Sequence, residues 1–235
     1  MLKVCLNGAR TEGVPITPAG YAMDVVGCVT RGAAAFHVHP RDENGQETLD
    51  AEPVAAAVGA IRAASQGLPV GVTTREPIEP DLARRLYAIG GWTVMPDFAS
   101  VNVHEPGAEQ VARVLHDFGV GVEAGIWTAS AARAWTSWTV PTMRILLECM
   151  EESPADALAN AREMLDVIQR SAPPTTLPRI LLHGEGAATW PVLREAVKRR
   201  LDTRIGLEDT LELPDGSRAT DNVVLVAAAV AIGAR

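Results

Sequence analysis

The sequence predicts a single-domain α/β fold, a (β/α)8 TIM barrel running over residues 1–235. Three observations carry this. Eight short apolar runs recur along the chain, each followed by a stretch whose apolar residues fall at helical spacing. No linker, low-complexity segment or repeat separates them. The length is close to the roughly 250 residues such a barrel needs. Short apolar strands that alternate with helices indicate parallel pairing through right-handed crossovers, and eight such units close on themselves. An open doubly wound sheet is the competing architecture. The lack of a Gly-rich dinucleotide fingerprint after the first strand speaks against it.

The first strand is expected over residues 3–7, ending in Asn7-Gly8. A polar loop follows, and Thr17-Pro18 supplies an N-cap and a proline at the first helical position for a helix to Thr30. Residues 34–39 form the second strand, which Pro40 stops because it has no N–H to donate. After a charged loop containing the turn pair Asn44-Gly45, Asp50 can cap a helix to about Ser65. Residues 69–73 are the third strand; Glu79-Pro80-Asp81 starts a helix carrying Leu82, Leu86 and Ile89. The fourth strand covers 98–103, and its helix shows Val111, Val114 and Leu115 on one face before Gly119 closes it. Residues 120–126 are the fifth strand, with a short helix over 129–138. The sixth strand covers 143–149, and Ser153-Pro154 opens an amphipathic helix through Leu158, Ala161, Leu165 and Ile168. Residues 179–183 and 203–207 are the last strands, with helices over about 187–200 and 222–232.

Composition narrows the partners. A net charge of −8 leaves no basic surplus to neutralise phosphates, so nucleic acid is not expected as a generic partner. No apolar stretch approaches the roughly 20 residues of a membrane span. Cys5, Cys28 and Cys149 lie far apart within apolar runs and show no metal spacing, which reads as reduced core thiols in a cytoplasmic protein. The start of the chain lacks a signal-peptide layout.

In a barrel of this kind the active site lies at the C-terminal ends of the strands, so polar residues there can be pooled. His37 and His39 alternate with Val38 and point to one face. Two imidazoles on one face are half of a zinc site; two histidines satisfied by hydrogen bonds are the other reading. In Arg204-Ile205-Gly206-Leu207-Glu208-Asp209, alternation puts Arg204 and Glu208 on one face, which makes Glu208 the best third ligand. A surface turn is the competing reading for Glu208. Arg204 and Asp209 read either as an ion pair that orients a carboxylate base or as a structural salt bridge.

Glu123 interrupts an apolar strand, where an unpaired carboxylate is costly to bury; a metal, a basic residue or a substrate amine would supply a partner. Glu148 reads as the start of a solvated loop. Ser100 and Asn102 share a face and can bind a polar ligand or, equally, only hydrogen-bond the barrel rim, and Thr73-Thr74-Arg75 offers two hydroxyls and a cation suited to a carboxylate. His183-Gly184-Glu185-Gly186 exposes backbone N–H groups before a helix, an anion site or equally a tight turn. Trp127, Trp135 and Trp138 cluster after the fifth strand, where indole can line a pocket or an oligomer contact, and packing under a loop is the expected role.

Taken in order, Leu6-Asn7-Gly8-Ala9, Pro15-Ile16-Thr17-Pro18, His37-Val38-His39-Pro40-Arg41-Asp42, Gly206-Leu207-Glu208-Asp209 and Ala219-Thr220-Asp221-Asn222 resemble the β-keto acid cleavage enzymes, such as the 3-keto-5-aminohexanoate cleavage enzyme. The resemblance, whose most specific signal is the HxHxRD and GLED pair, implies a zinc-dependent barrel that condenses a β-keto acid with acetyl-CoA and cleaves the product to acetoacetate and a new acyl-CoA. It further implies that His37, His39 and Glu208 ligate zinc, that Asp209 and Arg204 form a dyad activating the keto acid, that Glu123 sits near the metal, and that the protein is a homo-oligomer; independently of it, the strand-end residues Asn7, Thr73, Thr74, Ser100 and Asn102, with Gly184, are the substrate-binding candidates. Two departures stand out. Arg10 occupies a position where some members carry an acid, and Thr73-Thr74-Arg75-Glu76-Pro77 replaces a glycine-rich turn. A hydrolase of the amidohydrolase type is the alternative enzyme, although its HxH ends the first strand rather than the second. A non-catalytic barrel binding a small acid is the alternative outside enzymes.

Overall fold

A computed structural model describes all 235 residues. Eight strands, β1 (Leu2–Cys5), β2 (Ala35–Val38), β3 (Val70–Thr73), β4 (Phe98–Asn102), β5 (Gly121–Ile126), β6 (Arg144–Cys149), β7 (Arg179–Gly184) and β8 (Thr203–Ile205), form one parallel sheet in the order β7-β6-β5-β4-β3-β2-β1-β8. The last gap closes where Leu182 N–H donates to Asp202 O at 2.9 Å and Asp202 N–H to Ile180 O at 3.1 Å. The sheet is therefore a barrel, as its strand–helix alternation predicts.

Eight helices cover it: α1 (Pro18–Thr30), α2 (Ala51–Ala64), α3 (Leu82–Gly90), α4 (Ala108–Asp117), α5 (Ala129–Trp135), α6 (Pro154–Ser171), α7 (Thr189–Arg199) and α8 (Asn222–Ile232). Their starts follow side-chain chemistry. Thr17, Asp81, Thr128, Ser153 and Asp221 each accept a hydrogen bond from a first-turn N–H. Asp50 precedes α2 without making that bond. Asp81 moves the start of α3 three residues past the expected Glu79, and residues 76–78 form a short 3-10 turn instead. Between strands and helices, Ala, Val, Leu and Ile side chains form the core. The three cysteines are free and buried. No helix is long and apolar enough to cross a membrane.

Two strands end earlier than their apolar runs suggest, and both endings shape the rim. β1 stops at Cys5 because Asn7 turns its side chain across to β2: Asn7 Nδ2 donates to His39 O and Asn7 Oδ1 accepts from His39 N–H, both at 2.9 Å. β8 stops at Ile205 because residues 206–210 fold into a turn, with the N–H groups of Asp209 and Thr210 both donating to Gly206 O. Gly206 is required there, since a Cβ would lie 1.9 Å from Cys5 O. Asn222, the first residue of α8, ties the two ends together: its Oδ1 accepts from Leu207 N–H at 2.7 Å and its Nδ2 donates to Leu6 O at 2.9 Å.

Candidate active site

The rim at the C-terminal strand ends encloses a cavity of about 680 Å³. His37, His39 and Glu208 line it. One potential ligand atom from each lies within 4.8 Å of the others, which is close enough for a single cation. The histidines arrive by strand alternation, their rings edge to face at 5.2 Å. Glu208 arrives on the turn that Gly206 permits, pressed over Gly8, where a Cβ would stand 2.5 Å from Glu208 Cγ.

The surroundings fit a divalent metal. His39 Nδ1 is 2.5 Å from Glu47 Oε1, an arrangement that holds Nδ1–H toward the carboxylate and leaves Nε2 as the ligand atom. The Asn44-Gly45 turn makes this possible, because it folds the loop back so that Glu47 pairs with Arg41 beside β2. Burial holds the His37 imidazole well below its usual pKa, hence neutral and able to ligate. Burial opposes ionisation of Glu208, but Arg204 and His39 outweigh it and keep the carboxyl well below the ordinary range. Glu208 Oε2 is buried with no hydrogen-bond partner, a costly state unless a cation meets it.

Beside the trio stands Arg204. It donates to Asp209 Oδ1 from Nε at 3.0 Å and from Nη2 at 2.7 Å, and to Glu208 Oε1 at 2.9 Å. Asp209 is 1% exposed, and its Oδ2 has no partner. Burial raises its pKa despite Arg204. Both residues expected as a dyad therefore meet, with Arg204 on the cavity wall and Asp209 behind it.

Thr73, Ser100 and Asn102 also line the cavity. Thr74 does not: its hydroxyl donates to Ser100 O at 2.7 Å and braces the neighbouring strand end. Asn7 is fully buried and acts as the bracket for His39. Gly184 ends β7, where a Cβ would crowd Ala188 O at 2.8 Å, so tight packing accounts for that glycine; of the segment expected as an anion site, Glu185 lines the cavity and Gly184 does not.

For Glu123 the structure supplies the basic residue that the sequence left open as one of three partners, rather than the place near the metal that the resemblance implies. It is fully buried, opposite Ser100 on β4 and Arg144 at the start of β6, deep in the barrel. Lys3 Nζ donates to its Oε2 at 2.6 Å and Arg144 pairs with Oε1. Two basic residues thus satisfy the carboxylate, and it does not line the cavity.

Glu148 is the converse. Expected in a solvated loop, it is 6% exposed and lies on the cavity wall. Trp127 Nε1 donates to its Oε1 at 3.0 Å, and His183 Nε2 is 3.0 Å from its Oε2. Gly125 makes room for it, since a Cβ there would stand 2.7 Å from Glu148 Oε1. Trp127 hence belongs to the site, whereas Trp135 bonds to Thr142 away from it. The two-residue alternation from Leu146 to Glu148 was the available sign.

The β-keto acid cleavage enzyme family profile matches residues 1–235. The chain belongs to that family. No curated protein matches it by sequence. Among solved structures, apo ObcA superposes with a TM-score of 0.68 at 16% identity, over 91% of this chain and 60% of that one. The ternary complex of ObcA with a C4-CoA adduct and oxalate gives 0.70 at 16%, over 91% and 62%. The N-acetylmannosamine-6-phosphate 2-epimerase from Clostridium perfringens gives 0.58 at 12%, over 89% and 87%. At these identities the likeness is one of barrel fold. The family member described here spans about three-fifths of the length of ObcA.

Proposed function

We propose that this family member is a zinc-dependent enzyme that condenses a β-keto acid with acetyl-CoA and cleaves the adduct to acetoacetate and a new acyl-CoA, acting as a cytoplasmic homo-oligomer. The observation that carries the reading is the Arg204–Asp209 pair standing against the His37, His39 and Glu208 trio at one cavity. Two imidazoles and a carboxylate with an open position are a zinc donor set of the catalytic kind. The bound ion would supply Lewis acidity toward carbonyl and carboxylate oxygens.

The chain's own groups do the rest. Arg204 fixes Asp209 Oδ1, which leaves Oδ2 as the atom to receive a proton from the keto acid. Thr73, Ser100 and Asn102 offer hydroxyl and amide groups to orient the acid. Glu47 holds the His39 ring in place. Oxaloacetate and a CoA adduct were bound to ObcA, which supports keto acid and thioester as the substrate classes.

An acetyl-CoA-dependent assay over a keto acid panel, read with elemental analysis, tests this. Zinc with CoA-linked turnover supports the proposal; zinc with hydrolysis alone refutes it. Asp209→Asn is expected to retain zinc and lose about 10²- to 10⁴-fold in kcat, and unchanged kcat would remove Asp209 from the mechanism.

A further inference from the structure

Asn102, the last residue of β4, stands on the cavity wall with its amide fixed from behind. Its Nδ2 donates to Glu105 Oε1 at 2.8 Å, and Arg85 Nη1 lies 3.5 Å from Glu105 Oε2. Arg85 belongs to α3, is 1% exposed and does not line the cavity. We infer that Arg85 and Glu105 position Asn102 so that its Oδ1 accepts a hydrogen bond from an acyl-CoA thioester, at the amide N–H two carbons from the sulfur. This rests on the keto acid cleavage reading above, and it moves Asn102 from the acid to the thioester.

The orientation follows from the donors and acceptors present. A carboxylate only accepts, so the amide beside it turns its NH2 that way; the reverse would set two oxygens together. Arg85 also anchors the loop that carries Glu105, donating from Nη2 to Pro106 O at 2.7 Å. Asn102 Oδ1 is left with no donor from the protein. It leans over Gly125 on β5, where a Cβ would stand 2.5 Å from it and 2.7 Å from Glu148 Oε1. Glycine at 125 thus lets two acceptor oxygens converge from β4 and β6. Trp127 Nε1 serves Glu148 Oε1, and a second N–H at this spot would complete Asn102.

The two reactants differ in what they can bring there. The reacting end of a β-keto acid carries keto and carboxylate oxygens, which are acceptors and meet Asn102 Oδ1 unfavourably. The thioester carries an amide N–H close to its sulfur. Position agrees with this. His37 and His39 follow from β2 and Glu208 from β8, the two neighbours of β1. Around the closed barrel, β5 lies opposite β1. A keto acid held at the trio therefore leaves the arc of β4, β5 and β6 for the thioester arm.

The test compares S-acetyl-N-acetylcysteamine with S-acetyl-2-acetoxyethanethiol, in which an ester oxygen replaces the N–H. With zinc-loaded protein and the best keto acid of the panel, kcat/KM should favour the N–H compound by about tenfold or more, the size of one hydrogen bond to a group otherwise left unpaired. Asn102→Ala should erase most of that ratio. Asn102 is half-buried, and its replacement is expected to fold. Arg85→Met should shrink the ratio too, with Arg85→Lys restoring part of it; a merely structural Arg85 would lower the urea midpoint and leave the ratio alone. Calorimetric binding of the ketone analogue of acetyl-CoA, with CH2 in place of sulfur, supplies a readout independent of turnover and should weaken about tenfold in Asn102→Ala. Equal use of the two thioesters, or a ratio that survives Asn102→Ala, overturns the inference and leaves the cleavage reading standing. A ratio intact in folded Arg85→Met overturns the positioning role. An unchanged ratio with an altered choice among keto acids also overturns the inference, assigning the oxygen to the acid's own side chain. Binding of the ketone analogue that depends on Asn102, without any keto acid turnover, supports the acceptor and defeats the cleavage reading.

Discussion

Replacing Glu123 with Gln separates a structural from a catalytic part for this carboxylate. Glu123 and Lys3 are both fully buried, and their 2.6 Å contact is the one hydrogen bond that Lys3 Nζ makes to a side chain. Arg144 is about a tenth exposed and has a second acid, Asp202, at 3.8 Å. Removing the charge of Glu123 leaves Lys3 stranded in the barrel, a loss of about 3–5 kcal/mol for breaking one side of a buried pair. At roughly 2–4 °C per kcal/mol for a domain of this size, Tm should fall by about 6–20 °C. Lys3→Met should cost less, since Arg144 still neutralises Glu123, and the double variant should be less unstable than the two losses added together. The assay is thermal and urea unfolding at fixed zinc, with kcat measured on the protein below its transition. The expected result is a large loss of stability with kcat within a few-fold of the parent. A stability change under about 1 kcal/mol accompanied by a hundredfold fall in kcat would refute the reasoning and return Glu123 to the chemistry.

Other substitutions test the rim. His37→Ala should abolish stoichiometric metal by elemental analysis, and a chelator should lower the Tm of the parent but not of this variant; at metal about 100 times its Kd the difference corresponds to about 2.7 kcal/mol. Glu47→Gln should weaken metal affinity by about 10- to 100-fold in a competitive chelator titration, because the His39 ring loses the carboxylate that fixes it. Gly206→Ala should disrupt the Glu208 and Asp209 turn, since its Cβ would overlap Cys5 O; the check is metal content measured together with the urea midpoint, and an unaffected variant would contradict the close approach of β1 and β8.

The barrel was legible because its signal is repeated: alternating strand and helix periods recur eight times, and tight caps such as Thr17-Pro18 and Ser153-Pro154 mark where helices begin. The metal trio was legible for a related reason. Strand alternation places His37 and His39 together, and Gly206 announces a close backbone approach before Glu208. Asn7 was read as a substrate group because it ends a strand at the rim. Its actual partners, the backbone groups of His39, lie 32 positions along the chain, and no local pattern encodes such a bracket.

Glu123 and Glu148 show what period alone leaves out. Each interrupts an apolar strand, and alternation cannot rank one above the other. What separates them is depth along the barrel axis, fixed by how the tilted strands are staggered. Glu123 pairs in register with Arg144, the first residue of β6, and so lies toward the N-terminal end, where Lys3 on β1 can reach it. Glu148 pairs with His183 one residue before Cys149 meets Gly184 at the rim. A carboxylate at the lower level meets fixed cations and becomes part of the packing. One at the upper level faces the cavity, where Trp127 and His183 hold it against solvent and substrate. The stagger thus assigns two acids from similar strands to different work, and it is a property of strand pairing that neither strand carries by itself.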